Sequence, residues 1–288
     1  MARRYASLGR YVAVFVLGLC IPLLDVTGPL LPEWNFLSPA RWLWDEQHAL
    51  KALSTNHRYS VQVLSTDPLM VYLDGFIHPR EAKYLIELGT PKFEPSKVYT
   101  SDPDADWPAP SYRTSDSSVL PAKDPIVAII RDRAYFALGF LDHVGVEAFQ
   151  LVRYHDGDLF GMHYDWFNDP LPDGKTGKHY NRLASFFVYL EADCEAGSTY
   201  FPHLPSPPAG IQETDADAGR YTSTQKGTGL AVLPRLGSGL FWLNLHPNGT
   251  GDPRTLHAGL PVTSGKKIGM NIWIKGRVEP GPEKKVGE

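Results

Sequence analysis

The chain has 288 residues, 43% of them hydrophobic and 12% aromatic, which is enough for one sizeable core and unlike a disordered composition. Its net charge is −4 and no Lys/Arg cluster occurs, which argues against a nucleic-acid partner, since that needs a basic face. The two cysteines, Cys20 and Cys194, lie far apart in sequence, so neither a disulfide framework nor a thiolate zinc site is available.

Arg3, Arg4 and Arg10 precede an apolar run from Tyr11 to Leu24. At about 1.5 Å per residue the run falls short of a roughly 30 Å bilayer core, and it lengthens only by tolerating Asp25 and Pro29. It suits the apolar part of a signal peptide, yet no Ala-x-Ala cleavage site follows, and a buried helix is the alternative. The flanking arginines favour a membrane signal with the rest of the chain on the lumenal side. The expectation is a signal anchor or signal peptide over residues 1–31. That makes a single-pass protein of the endoplasmic reticulum membrane, or a secreted one where the signal is cleaved.

Residues 32–58 read as a stem, with a short amphipathic helix around Arg41–Leu53. YSVQVLS (from Tyr59) and LMVYLDGF (from Leu69) alternate as strands do. HPREAKYLIELG has an early proline, apolar residues at helical spacing and a final glycine, and predicts a helix over His78–Gly89. Residues 96–118 are rich in Asp, Pro and Ser and predict a loop holding an edge strand. Another helix is predicted over Asp124–Leu138, again with a proline beside its start. From Phe149 the pattern turns to short β-rich runs separated by Gly, Pro and Asn: FQLVRYH, RLASFFVYL, GSTYFP, GLAVLP, SGLFWLNL and KIGMNIWIK. Together these predict an α+β, mainly β fold, a jelly-roll or sandwich core buttressed by N-terminal helices. Residues 204–229 are polar and Gly/Pro-rich and predict a surface lid or mobile loop, and residues 279–288 a disordered tail.

GMHYDWF, beginning at Gly161, holds a His-x-Asp step. Residues two apart on a strand share a face, so His163 and Asp165 would reach one ion together. Imidazole with carboxylate suits Fe(II), Mn(II) or zinc, and a third ligand would leave open positions. Alone the step carries little, because a chain with ten histidines meets one by chance. TLHAGLPVTSGKKIGMNIWIKG adds His257 ahead of a strand on which Lys267, Gly269, Asn271 and Trp273 share one face. Ile268, Met270, Ile272 and Ile274 share the other, which reads as core against the helices. A lysine buried on the first face requires an anion, from the protein or from a ligand.

Taken in order, Tyr154, His163-x-Asp165, AGSTYFP, LPRLGSGLFW, His257 and Lys267 ten residues on resemble the prolyl 4-hydroxylase branch of the Fe(II)- and 2-oxoglutarate-dependent dioxygenases. STDPLMVYLDGFIHPREAKYLIEL resembles the opening strand and helix of that family, and SYRTS its arginine-bearing strand; the match covers residues 59–278. The resemblance implies a double-stranded β-helix with Fe(II) on His163, Asp165 and His257. It implies 2-oxoglutarate chelating that iron with its distal carboxylate on Lys267, O2 as the other cosubstrate, ascorbate as reductant, and hydroxylation of an unactivated C–H. The long polar segment between AGSTYFP and GTGLAVLP departs from the pattern and bears on substrate access.

Several residues keep two readings. Tyr154 donates its hydroxyl to the same carboxylate or is an aromatic core residue. Trp273 and Asn271 line the pocket or fill the barrel, and Arg113 contacts substrate or forms a surface salt bridge. Lys266 reads as solvated, and His155 and Asp158 as turn residues. His179, His203 and His246 have no partner at ligand spacing. Asn248 opens an Asn-x-Thr sequon, a glycan acceptor if the domain is lumenal. The leading function is a prolyl 4-hydroxylase-like enzyme acting on a protein or peptide. The alternatives are a membrane-associated oxygenase of a small hydrophobic biosynthetic intermediate and a non-catalytic jelly-roll binding module. The aromatic residues Tyr164, Trp166, Phe167 and Trp242 near the ligands suit an apolar pocket of either enzyme.

Overall fold

The computed structural model describes residues 39–97, 112–139, 141–174, 176–205, 220–223 and 229–278. The membrane segment expected over residues 1–31, the tail over 279–288 and most of the segment 204–229 lie outside them. Among the described residues no helix is long and apolar enough to cross a membrane. The chain divides at Asp45 into two units, and both sheets belong to the second, which begins at Glu46.

Helix α1 spans Pro39–Asn56, longer than the stem helix expected from sequence. Strands β1 (Ser60–Thr66) and β2 (Leu69–Asp74) form a hairpin, and α2 (Pro79–Gly89) follows. The α2 start is a capping box: His78 accepts from the Arg80 amide at 3.1 Å, and Glu81 accepts from the His78 amide at 2.8 Å. Two short strands, β3 (Glu94–Pro95) and β4 (Asp116–Val119), precede α3 (Pro125–Leu138). Asp124 caps α3 by accepting from the amides of Ile126 and Val127, so Asp-Pro set its start as the sequence suggested.

The β region then runs through β5 (Gly145–Val146), β6 (Gln150–Tyr154), β7 (Phe160–His163), β8 (Leu171–Pro172) and β9 (His179–Ala196). It continues with β10 (Thr199–Phe201), β11 (Tyr221–Ser223), β12 (Leu230–Val232), β13 (Gly239–Leu243), β14 (His257–Gly259) and β15 (Val262–Arg277). One sheet has ten strands in the order β1-β2-β13-β9-β15-β6-β4-β3, with β5 on β15 and β8 on β9. The other has five, β11-β12-β10-β14-β7.

Two apolar cores follow from this layering. On one face of the large sheet Leu85, Ile130 and Ala134 of the helices pack with Phe186 and Val188 of β9 and with Ile268, Met270, Ile272 and Ile274 of β15. Between the sheets lie Tyr72, Val152, Phe187, Tyr189, Phe201, Val232 and Trp242. Strands β9 and β15 are therefore covered on both faces, which is why RLASFFVYL reads as a nearly continuous apolar run. They are also much longer than the runs suggested, 18 and 16 residues, because each extends past its apolar centre along its partner. The chain leaves β9 for the small sheet at Ala196 and Gly197, both with positive φ (58° and 73°). A Cβ on Gly197 would meet Val262 Cγ2 at 2.9 Å, so glycine is required there on two counts.

Two expectations need correction. The strand within residues 96–118 is not at the edge: β4 pairs with β6 on one side and with the two-residue β3 on the other. The segment 204–229 is not wholly loop, since β11 pairs with β12 in the small sheet.

On the helix side, Arg133 of α3 and Glu81 of α2 form a buried pair at 2.7 Å. The guanidinium also donates to the carbonyls of Phe76 and Ser54, tying three elements together. Burial works against the Glu81 charge, but Arg133 outweighs it and holds the carboxyl below its ordinary range.

Candidate functional site

Antiparallel pairing of β14 with β7 puts His257 directly opposite His163. Asp165 departs from the strand reading: β7 ends at His163, and Asp165 reaches the histidines from the turn beyond it. The three offer ligand atoms that all lie within 4.8 Å of one another, and among the described residues they are the one such group. Each Asp165 oxygen is 3.9 Å from one imidazole Nε2, Oδ1 from His163 and Oδ2 from His257.

Both imidazoles are fixed from behind. His163 Nδ1 bonds the Gly161 carbonyl at 2.8 Å and His257 Nδ1 bonds the Thr255 carbonyl at 2.9 Å. A carbonyl accepts only, so each Nδ1 carries the proton and each Nε2 presents a lone pair. Phe201 stacks on the His257 ring and Trp242 meets it edge-on, while Phe160 stacks on His163. Burial, then the neighbouring His257, pushes His163 well below the usual imidazole range against the pull of Asp165. Burial would raise Asp165, but His257, His163, Arg182 and the Ser185 hydroxyl together hold it low. At neutral pH His163 is therefore neutral and Asp165 ionised, the protonation states a divalent metal needs. Two imidazole nitrogens and one carboxylate oxygen fit Fe(II) and leave positions for further ligands.

Lys267 lies deeper, on the inner face of β15, fully buried. Its ammonium donates to the Gly197 carbonyl at 2.6 Å and sits 4.2 Å from the Tyr154 ring centroid, its register partner on β6. Among the described residues no carboxylate is within ion-pair distance, and burial lowers its pKa to about 8. Of the two anions the sequence left open, no described protein carboxylate is at hand to serve. Tyr154 lies beneath the ammonium with its ring, and its own hydroxyl is pushed up by burial despite Arg113 and Ser115 nearby.

A cavity of about 580 Å³ opens over the histidines and Asp165. Asn271 and Trp273 line it, so these two face the cavity rather than filling a barrel, and Arg113 lines it as well. Arg113 lies over the Phe160 ring at 4.3 Å and donates to the Lys97 carbonyl. Tyr164, Trp166, Phe167 and Trp242 make an aromatic wall, as expected. Lys266 points outward, where Glu191 pairs with it at 3.0 Å rather than leaving it merely solvated. His155 and Asp158 close a turn through the His155 amide and the Asp158 carboxylate. Asn248 sits exposed in a turn, accepting from Thr250 Oγ1 at 2.7 Å.

Residues 149–275 match the family described as the 2OG-Fe(II) oxygenase superfamily. An Arabidopsis thaliana protein described as probable prolyl 4-hydroxylase 6 is 32% identical over 212 residues, 73% of this chain and 70% of that one. The chain belongs to the prolyl 4-hydroxylase-like 2OG-Fe(II) oxygenases. Probable prolyl 4-hydroxylase 4 of the same plant is 29% identical over 74% of this oxygenase and 70% of its own length. The crystal structure of a viral collagen prolyl hydroxylase from Paramecium bursaria Chlorella virus-1, in complex with 2OG, superposes with a TM-score of 0.51 at 26% identity. It covers 72% of this chain and 96% of the viral one. The oxygenase is thus an Fe(II)- and 2-oxoglutarate-dependent enzyme, and its double-stranded β-helix is the fold the sequence suggested.

Three polar residues of this oxygenase had no assignment from sequence. Arg182 stacks 3.6 Å from the Trp273 ring centroid, is held by both oxygens of Glu147 and donates to the Asp165 carbonyl. Ser185 and Asn244 lie beneath Asp165. The available signal was a polar residue inside an apolar run, Ser185 in RLASFFVYL and Asn244 in LFWLNL.

Proposed function

We propose that this oxygenase hydroxylates prolyl residues of a protein or peptide. His163, Asp165 and His257 would hold the iron, and Lys267 the distal carboxylate of 2-oxoglutarate. The observation that carries the cosubstrate assignment is the fully buried Lys267, whose charge no described carboxylate balances. When bound, the iron with 2-oxoglutarate and O2 supplies the oxidant that places one oxygen atom in an unactivated C–H, 2-oxoglutarate leaving as succinate and CO2.

The chain's own residues do the rest. The Gly161 and Thr255 carbonyls keep both Nε2 atoms turned to the metal position. Lys267, with the Tyr154 ring beneath it, contributes a charge-assisted bond of about 1.5–3 kcal/mol, enough to select a dicarboxylic keto acid over a monocarboxylic one. Phe201 and Trp242 exclude water behind His257. The aromatic wall and the Arg182–Trp273 stack shape the space in which one substrate C–H is aimed. A prolyl substrate is supported by the relatives, which carry the name prolyl 4-hydroxylase, and by a cavity whose rim residues Met162 and Tyr164 are themselves partly exposed.

We further propose, from the arginines that flank the apolar run from Tyr11 to Leu24, that residues 1–31 anchor the catalytic unit in the lumen of the endoplasmic reticulum, with a glycan on the exposed Asn248. A shift of the expressed protein on glycosidase treatment, absent in Asn248→Gln, tests that arm.

The substrate arm is tested with the full chain, Fe(II), ascorbate and 2-oxoglutarate, offered proline-rich peptides or apolar small molecules. Hydroxyproline by mass spectrometry, matched by succinate and absent in His163→Ala, is expected. Succinate stimulated only by an apolar small molecule would move the enzyme to that substrate class.

A further inference from the structure

Asp165 Oδ2 accepts a 2.6 Å hydrogen bond from Ser185 Oγ, and Ser185 Oγ accepts at 2.8 Å from Asn244 Nδ2. Ser185 and Asn244 are both fully buried, in the middle of β9 and just past the end of β13. Polar groups in such a place are costly unless bonded. The direction of the relay is fixed by chemistry. An ionised carboxylate only accepts, so the single serine hydrogen points to Asp165, and the hydroxyl lone pair left over requires the NH2 end of Asn244. Asn244 is anchored in turn by its backbone, donating to the Leu183 carbonyl at 2.9 Å and accepting from the Asp252 amide at 2.8 Å.

We infer that Ser185 and Asn244 are positioning residues that commit Oδ2 of Asp165 to the protein and leave Oδ1 for the iron, so that Asp165 ligates through one oxygen. A carboxylate binding through both would take a position needed by 2-oxoglutarate or O2. The hydroxyl supplies from the protein the restraint that a lone carboxylate on a turn lacks. This inference rests on the metal assignment proposed above.

Co(II) and Mn(II) binding to the full chain separates the two. Calorimetry gives affinity, and the visible absorption of bound Co(II) reports its coordination. Ser185→Ala is expected to weaken metal binding about 10–100-fold and to change the Co(II) spectrum, with Ser185→Thr restoring both. Asn244→Leu, which leaves the hydroxyl free to rotate, should produce the same spectral change with a smaller loss of affinity. It carries the test if Ser185→Ala does not fold by circular dichroism. Wild-type affinity and spectrum in Ser185→Ala or in a folded Asn244→Leu, alongside lost binding in His163→Ala, overturn the relay alone. Unaltered binding in His163→Ala overturns the metal assignment, and the relay with it.

Discussion

Two buried cations in this enzyme are provided for in opposite ways. Arg133, on the helix side of the large sheet, is met by both oxygens of Glu81 and by two main-chain carbonyls. Lys267, on the inner face of the same sheet, has a single carbonyl and the face of a tyrosine. A cation satisfied by its own chain belongs to the architecture. One whose counter-charge the described chain does not provide is, on the function proposed here, kept for a ligand, and it loads the fold with a cost that binding would relieve.

The largest effect expected from this contrast is on the architectural side. Glu81→Ala leaves a buried guanidinium without its carboxylate and should destabilise by about 3–5 kcal/mol, read as a fall in denaturation midpoint with an unchanged m-value. Lys267→Met should do the reverse, stabilising the protein without 2-oxoglutarate by about 1–4 kcal/mol. The same substitution should weaken 2-oxoglutarate binding by about 1.5–3 kcal/mol, measured by calorimetry with Mn(II). A destabilised Lys267→Met protein would mean that the lysine is structural and would break the comparison.

The two groups should also respond to pH with separate signatures. Glu81 has a folded pKa below its ordinary 4.5, so its contribution is complete above that value and disappears as pH falls through the folded pKa. Glu81→Gln should flatten the acid limb of stability against pH. Lys267 titrates at about 8 in the fold against an ordinary 10.5, so between those values the unfolded chain binds the proton and the folded one does not. Stability without 2-oxoglutarate should therefore rise across that alkaline window, and the rise should be missing in Lys267→Met. The smallest expected effect is on affinity: 2-oxoglutarate binding should be level below pH 8 and decline above it, as the free lysine loses its charge.

How much of this was legible in the sequence depends on how local each signal is. The starts of α2 and α3 were readable because a cap and a proline sit within one turn of each other. The two faces of β15 were readable because side chains alternate: its aliphatic residues enter the helix-side core and Lys267, Asn271 and Trp273 face inward. Asp165 was matched to His163 for a reason only half right, since it stands on the turn after the strand and not on its face. The support beneath it left only a faint sign, a polar residue inside each of two apolar runs, with nothing to join them. Ser185 is 20 residues from Asp165 and Asn244 is 59 from Ser185, and no local pattern announces a hydrogen bond that only the pairing of β13 with β9 creates. Arg182 was hidden likewise, its partner Glu147 lying 35 residues upstream.

The carbonyls that hold the two histidines proposed as ligands each lie only two residues back along the chain. The aim of the imidazoles is thus written into short stretches of local backbone. Such a centre behaves as a socket and not as a keystone. A chelator should strip the iron without melting the protein, and metal returned afterwards should restore turnover with no refolding step.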